Sequence, residues 1–164
     1  MKLRIFTDGA CSNNPGPGGW AGIFNMSRGS KVLKGYEINT TNNRMELMAV
    51  VKTLEKLLIK NFYDCDTVEI HSDSAYVVNA INNDWMSKWK KNGWTTSKGD
   101  AVKNRDLWED FATLYEAVKE ANIDVVFKKV KGHSGNTFNE MADEVARGQA
   151  ILARKSYMNI WRGG

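Results

Sequence analysis

The hydrophobic period first changes near residue 40, from that of strands to that of a helix, and that switch commits the chain to a mixed α/β architecture. Before the switch, residues 3–7, 20–26 and 31–38 alternate or are rich in β-branched and aromatic side chains, as strands are. The turn cluster Ser12-Asn13-Asn14-Pro15-Gly16-Pro17-Gly18-Gly19 and the shorter Ser27-Arg28-Gly29-Ser30 separate them. Three strands so joined predict an antiparallel meander. After the switch, Leu47, Val50, Val51, Leu54, Leu57 and Leu58 recur every three or four residues, the stripe of an amphipathic helix. Asn42 or Asn43 can cap its start.

The remaining elements continue this logic. Residues 67–72 read as a strand, 75–81 open a helix, 107–121 form another, and 123–130 are a fifth strand. A glycine-containing loop at 131–136 leads to a helix at 139–153, and 154–164 are expected to be a tail. The fourth and fifth strands are reached through helical crossovers, so they should run parallel to the first. The expected fold is one five-stranded mixed sheet, three antiparallel strands and then two parallel ones, flanked by helices. With 164 residues the chain suits one domain, taken as 1–153, with no internal repeat or linker.

Composition narrows the class. Apolar residues make up 42% and charged residues 26%, the balance of a globular protein. Cys11 and Cys65 supply neither a metal spacing nor a disulfide framework, which suits a reducing, cytoplasmic setting. The N-terminus meets Asp8 after only a few apolar residues, so no signal-peptide core is expected. No apolar run approaches the roughly 20 residues that span a bilayer, and no membrane association is expected. No apolar stripe is left unassigned, so a monomer is expected. Charge, by contrast, is local. Residues 85–105 carry Lys88, Lys90, Lys91, Lys98, Lys103 and Arg105 against Asp100 alone, more than the whole chain's net +4. A patch of this kind predicts an anionic partner held at one place.

Four carboxylates stand at the edges of predicted elements: Asp8, Glu46, Asp73 and Asp143. Each has an ordinary structural explanation. Asp8-Gly9 is a common turn pair, and Asp73 can cap the next helix. Glu46 can close a capping box with Asn43, and Asp143 can pair with Arg147 one helical turn on. Topology joins them. Asp8 and Asp73 end strands that should be neighbours, Glu46 starts the helix leading to the fourth strand, and Asp143 lies early in the helix after the fifth. In open α/β sheets, ligands bind at the carboxyl ends of such strands.

The phrases around these acids resemble type 1 ribonuclease H in its bacterial form. They are Phe6-Thr7-Asp8-Gly9, Asn14-Pro15-Gly16-Pro17-Gly18-Gly19, Thr40-Thr41-Asn42-Asn43-Arg44-Met45-Glu46-Leu47 and Ser72-Asp73-Ser74. Trp89-Lys90-Lys91-Asn92-Gly93-Trp94, Lys103-Asn104-Arg105-Asp106-Leu107-Trp108 and Val130-Lys131-Gly132-His133-Ser134-Gly135 complete the set, in order. The resemblance implies a ribonuclease H-like fold and hydrolysis of the RNA strand of RNA–DNA hybrids. It implies Asp8, Glu46, Asp73 and Asp143 as ligands of two Mg²⁺ ions, with Mn²⁺ able to substitute, and 5′-phosphate and 3′-hydroxyl products. His133 would assist proton transfer or product departure. Contacts to the RNA fall to Cys11, Asn14, Asn43 and Glu46, and a DNA-phosphate pocket to Thr41, Arg44 and Asn104. Lys90, Lys91 and Trp94 belong to a basic protrusion over about 85–105 that grips the DNA strand. Trp85 and Trp89, four residues apart, also suit the packing face of a short helix.

This sequence departs from the pattern at Ala75, where many relatives carry a substrate-contacting glutamine. It also begins almost at the first strand, so a separate N-terminal hybrid-binding domain is not expected. Two other functions are compatible with the fold: a DNA-processing nuclease of the same superfamily, and a non-catalytic hybrid-binding module. The basic protrusion and the loop histidine disfavour the first, and the presence of all four acids disfavours the second.

Overall fold

The structure is a computed structural model that describes residues 2–59, 65–131 and 136–163. The meander comprises β1 (Lys2–Cys11), β2 (Gly16–Met26) and β3 (Gly29–Thr40), followed by helix α1 (Asn42–Ile59). Then come β4 (Thr67–Ser72), α2 (Ala75–Asn82), α3 (Trp85–Lys91), α4 (Arg105–Glu120), β5 (Asp124–Lys129) and α5 (Thr137–Gly163). The sheet order is β3-β2-β1-β4-β5, with β1–β2 and β2–β3 antiparallel and β1–β4 and β4–β5 parallel. This is the expected α/β sheet, with longer strands in the meander and the extra short helix α3.

Side-chain alternation assigns the two faces. Leu3, Ile5, Trp20, Phe24, Val68 and Ile70 point to one side and join the buried stripe of α1 and the inner face of α4 in the main core. Phe6 and Ile23 point to the other side, under α5, where they bury Ala142. Helix α5 lies close to the sheet because its inward positions are small: Ala142, Ala146, Ala150 and Ala153 are all buried. Gly19 on β2 completes the fit. A Cβ there would collide with Gln149 Cβ and come within 2.6 Å of the Ala150 nitrogen.

Two local expectations change. The cap of α1 is Thr41, not Asn42 or Asn43: its hydroxyl accepts from the Arg44 amide at 3.2 Å. Asn42 lies inside the helix, its amide donating to Asn14 Oδ1 at 3.0 Å. The chain after Ala153 also remains helical, so the expected tail forms the last turns of α5, with Tyr36 Oη 3.2 Å from Ser156 Oγ. Alanine-rich packing tells where a helix is buried, but a helix can overrun its sheet with no change of period.

The close seat of α5 is testable at Gly19. Gly19→Ala is expected to lower the unfolding free energy by about 1–3 kcal/mol, the usual range for overpacking. Urea titration followed by circular dichroism measures this, and an unchanged midpoint would contradict the tight contact.

Candidate active site

The parallel β1–β4 ladder ends at Thr7↔Ser72, while β1 continues to Cys11 beside β2 alone. Asp8 and Asp73 are the residues that follow this last pair, Asp8 still within β1 and Asp73 just past the end of β4, at the mouth of the opening. Both have the parity of Phe6 and His71, whose rings stack with centroids 4.7 Å apart. Asp8 is therefore not in a turn, as its pairing with Ala21 shows. Asp73 is not the cap of α2 either; Ser74 is, accepting from the Val77 amide at 3.2 Å. The adjacent serines leave the carboxylate of Asp73 free of that duty.

Glu46 arrives from the other layer. Its neighbours Met45 and Leu47 are fully buried, which fixes the first turns of α1 against the sheet. Helix and strand meet at Gly9, where a Cβ would collide with the Glu46 amide and lie 2.6 Å from the Met45 carbonyl carbon. Gly9 thus lets the backbone of α1 pass close enough for Glu46 to reach Asp8. Carboxylate oxygens of Asp8, Glu46 and Asp73 all lie within 4.8 Å of one another. The expected capping box does not form, and Glu46 Oε2 is buried with no hydrogen-bond partner. Asp143 follows Ala142, the residue that packs on Phe6, and its charge acts on Asp8. It also pairs with Arg147 at 3.0 Å, as the helical spacing suggested, and lies outside the group of three acids whose oxygens cluster.

Burial and crowding act on protonation. Asp8 is pushed up to about 7, chiefly by burial and then by the charges of Asp73 and Asp143, against the hydrogen bond from Glu46. Glu46 is held well above the usual carboxylate range by burial, and next by Asp8 and Asp73. A buried acid with one unpartnered oxygen, beside two other acids, fits a hard cation: the donors are all oxygen, with no thiolate or imidazole among the three. Asp8, Glu46 and Asp73 could hold such an ion, with Asp143 at the rim.

The expected substrate residues fall into three groups. Asn14, Thr41, Asn43 and Asn104 line one open cleft of about 410 Å³, together with Tyr76 and Lys103. Cys11 lies beside it, its thiol directed at the carbonyls of Gly16 and Thr40 at 3.5 and 3.4 Å. Arg44 is engaged by acids: it makes a two-point pair with Asp106 at 2.9 and 2.7 Å and a contact with Glu37 at 3.5 Å. Its guanidinium therefore acts on the cleft through Asn104, 3.5 Å away. Lys90 and Lys91 are exposed on α3. Trp94 is half-buried at a positive φ of 62° and packs toward Trp89, ring centroids 6.3 Å apart. Trp85 and Trp89 are packing residues of α3, as their spacing suggested, with Trp89 edge-on to buried Trp108. His133 lies outside the described residues. Sequence reasoning assigned Lys103 a place in a basic patch and in one of the family phrases but no site role, and it passed over Tyr76, whose helical position carried no signal.

The comparisons agree with this geometry. A family model described as RNase H matches residues 1–151. The chain belongs to the ribonuclease H family. It is 52% identical over 146 residues to a ribonuclease H of Caldicellulosiruptor saccharolyticus, covering 89% of this chain and 94% of that one. The ribonuclease H of Chlorobaculum parvum is 46% identical, covering 88% and 92%. Among solved structures, LC9-RNase H1, a type 1 RNase H with the type 2 active-site motif, superposes with a TM-score of 0.76 at 26% identity, covering 93% of this chain and 73% of that one. LC11-RNase H1, solved in complex with RNA/DNA hybrid, shares the fold with a TM-score of 0.68 at 23% identity, covering 92% and 98%. The chain is thus a nuclease of the ribonuclease H family.

The raised carboxyls give a sign for pH. In metal-free protein the folded state keeps a proton on Asp8 that the unfolded chain loses near its ordinary value of 3.8. That stability is complete below about 3.8 and gone above about 7, so stability falls as pH rises through this window. With EDTA present, the urea midpoint is expected to be lower at about pH 7.5 than at about pH 5, by a contribution on the order of a few kcal/mol. Asp8→Asn should flatten this trend and raise the midpoint at the higher pH. A wild-type midpoint that climbs across the window would show that the acids are not crowded.

Proposed function

We propose that this protein hydrolyses the RNA strand of RNA–DNA hybrids with two divalent cations, Mg²⁺ or substituting Mn²⁺, leaving 5′-phosphate and 3′-hydroxyl ends. The observation that carries this reading is the acidic cluster at the open ends of β1 and β4, with an orphaned buried oxygen on Glu46. Asp8, Glu46, Asp73 and Asp143 would hold the ions. When bound, such ions supply Lewis-acid charge that activates water and offsets the charge of the phosphodiester and its leaving oxygen.

The chain's own groups do the rest. The core seats the acids in a fixed arrangement, so that little reorganisation accompanies binding. Beside them the cleft of Asn14, Thr41, Asn43 and Asn104 offers amides and a hydroxyl suited to sugar and phosphate oxygens. Such groups position a duplex without reading its bases, and those nearest Glu46 would recognise the RNA 2′-hydroxyl. Lys90 and Lys91, exposed on α3, would track phosphates of the DNA strand. His133 would serve proton transfer or product departure. Residues 1–153 would form the catalytic domain. We place the protein in the cytoplasm, a setting that suits two cysteines, Cys11 and Cys65, too few for a disulfide framework, and take it to be a monomer. Among the described residues no helix is long and apolar enough to cross a membrane.

Labelled RNA–DNA, RNA–RNA and DNA–DNA duplexes incubated with Mg²⁺ test the substrate. Cleavage of RNA in the hybrid alone is expected, with 5′-phosphate ends, and EDTA should abolish it. Cleavage of DNA–DNA would favour a DNA-processing nuclease; binding to the hybrid without cleavage would leave only a binding module. Changing Lys90 and Lys91 together to alanine should weaken hybrid binding and lower the slope of log affinity against log salt by about 1–2. An unchanged slope would remove these lysines from the phosphate contacts.

A further inference from the structure

Helix α5 covers only part of its face of the sheet. It packs on β1, β2 and β3, while on β5 the same side leaves Val126 and Lys128 exposed. The register aligns Arg4, Glu69 and Val126 in one rung and Phe6, His71 and Lys128 two residues on. Alternation puts Lys2, two residues before Arg4, on that side as well. Asp8 and Asp73 continue the same face, so the open surface runs along β4 directly up to the acids.

Glu69 is buried here, and cations cover it. Lys2 Nζ and Lys128 Nζ both stand on its Oε2, at 3.1 and 2.9 Å. Arg4 Nε lies 3.4 Å and His71 Nε2 3.3 Å from its Oε1. The carboxyl is held down to about 2, first by Lys128 and then by Lys2, so it stays ionised. One carboxylate offsets one cation, yet Lys2, Arg4 and Lys128 bring three, and two ammoniums sharing one oxygen repel each other. All three side chains are half-exposed, with N–H donors beyond those aimed at Glu69. Cations crowded past neutrality fit a further anion, as the crowded acids beyond them fit a cation.

A backbone phosphate is the anion within reach. Four residues of β4 separate Glu69 from Asp73, about 13 Å, so a strand with its scissile phosphate on the acids can bring a neighbouring phosphate here. The cleft suited to the DNA strand is built by the starts of α1, α2 and α4, which pack on the opposite face. The strand on the acids is the RNA, so phosphates on this face are its own. We propose that Lys2, Arg4 and Lys128 form a separate phosphate site, which holds the RNA strand of the hybrid away from the scissile bond, and that Glu69 gathers the three cations into one group. This rests on the reading of the hybrid as substrate.

Two variants test the site with opposite signs. Lys2→Gln with Lys128→Gln leaves Arg4 to pair with Glu69, so the buried carboxylate keeps a cation. It should raise KM for an RNA–DNA hybrid roughly three- to tenfold, the scale of two exposed charge pairs. The slope of log affinity against log salt should fall by about 1–2. Glu69→Gln keeps the shape and removes the competing anion, so it should tighten hybrid binding and steepen the slope. A third arm uses hybrids in which one RNA phosphate at a time is a neutral methylphosphonate. Wild type should show a KM penalty a few phosphates from the cleaved bond, and in the double variant that penalty should largely vanish. Each penalty is a ratio within one variant, so it stays readable if a melting midpoint falls. Weaker binding in Glu69→Gln, or a penalty kept at full size in the double variant, would overturn the site while leaving hybrid cleavage intact. Failure of the wild type to cleave any hybrid would overturn both.

Discussion

Asp8, Glu46 and Asp73 hold oxygens within 4.8 Å of one another, two of them on buried residues. At an effective dielectric near 20, two full charges at that separation repel by about 3 kcal/mol. No peptide would adopt this arrangement unaided, so everything around it must impose it. The rising proton affinity of Asp8 and Glu46 is how the fold tolerates the cluster without a cation, and a cation is what would let all three ionise together.

Two packings impose it, and a third brings Asp143 up beside it. The β1–β4 ladder sets Asp8 and Asp73 at one level, since a parallel register cannot slip by one residue without turning every side chain to the wrong face. The buried stripe of α1 holds Glu46, and Gly9 removes the one side-chain atom that would keep helix and strand apart. The alanines of α5 bring the last helix down on Phe6 and Ile23, with Asp143 following Ala142. Each constraint comes from a different element, and each acid comes with it. Strain at the cluster is therefore opposed by the whole core, not by any local contact.

Much of this was legible in the sequence because it rests on pattern. Alternation and helical stripes gave five strands in their order, and short connections gave the meander. Helical crossovers gave the parallel pairs, and with them the neighbouring ends that carry Asp8 and Asp73. What was not legible depends on reach across the fold. Thr41 caps α1 in place of Asn42 or Asn43, and the Asn42 amide is taken up by Asn14, a loop residue far away in sequence. Arg44 read as part of a DNA-phosphate pocket, and nothing nearby in sequence marked Asp106 as the carboxylate that pairs with its guanidinium. Trp94 read as a substrate contact, and nothing nearby in sequence marked the aromatic cluster, its members separated by loops, that its half-buried ring joins.

The same contrast separates the two halves of the site. The acids sit on strand ends and helix starts, positions that periodicity marks and the core makes rigid. The cleft beside them is assembled from a turn, a helix cap and a left-handed asparagine, each exposed enough to be polar for ordinary reasons. A rigid cradle can fix cations, but it cannot by itself choose which phosphodiester meets them. That choice requires donors at a set distance from the acids, and α2 and α1 provide the distance. Asp73 and Tyr76 flank the start of α2, while Glu46 and Thr41 flank the start of α1. With the function proposed above, each helix start would carry an acid beside a residue of the cleft, so the geometry that crowds the carboxylates would also set where a bound phosphate backbone lies.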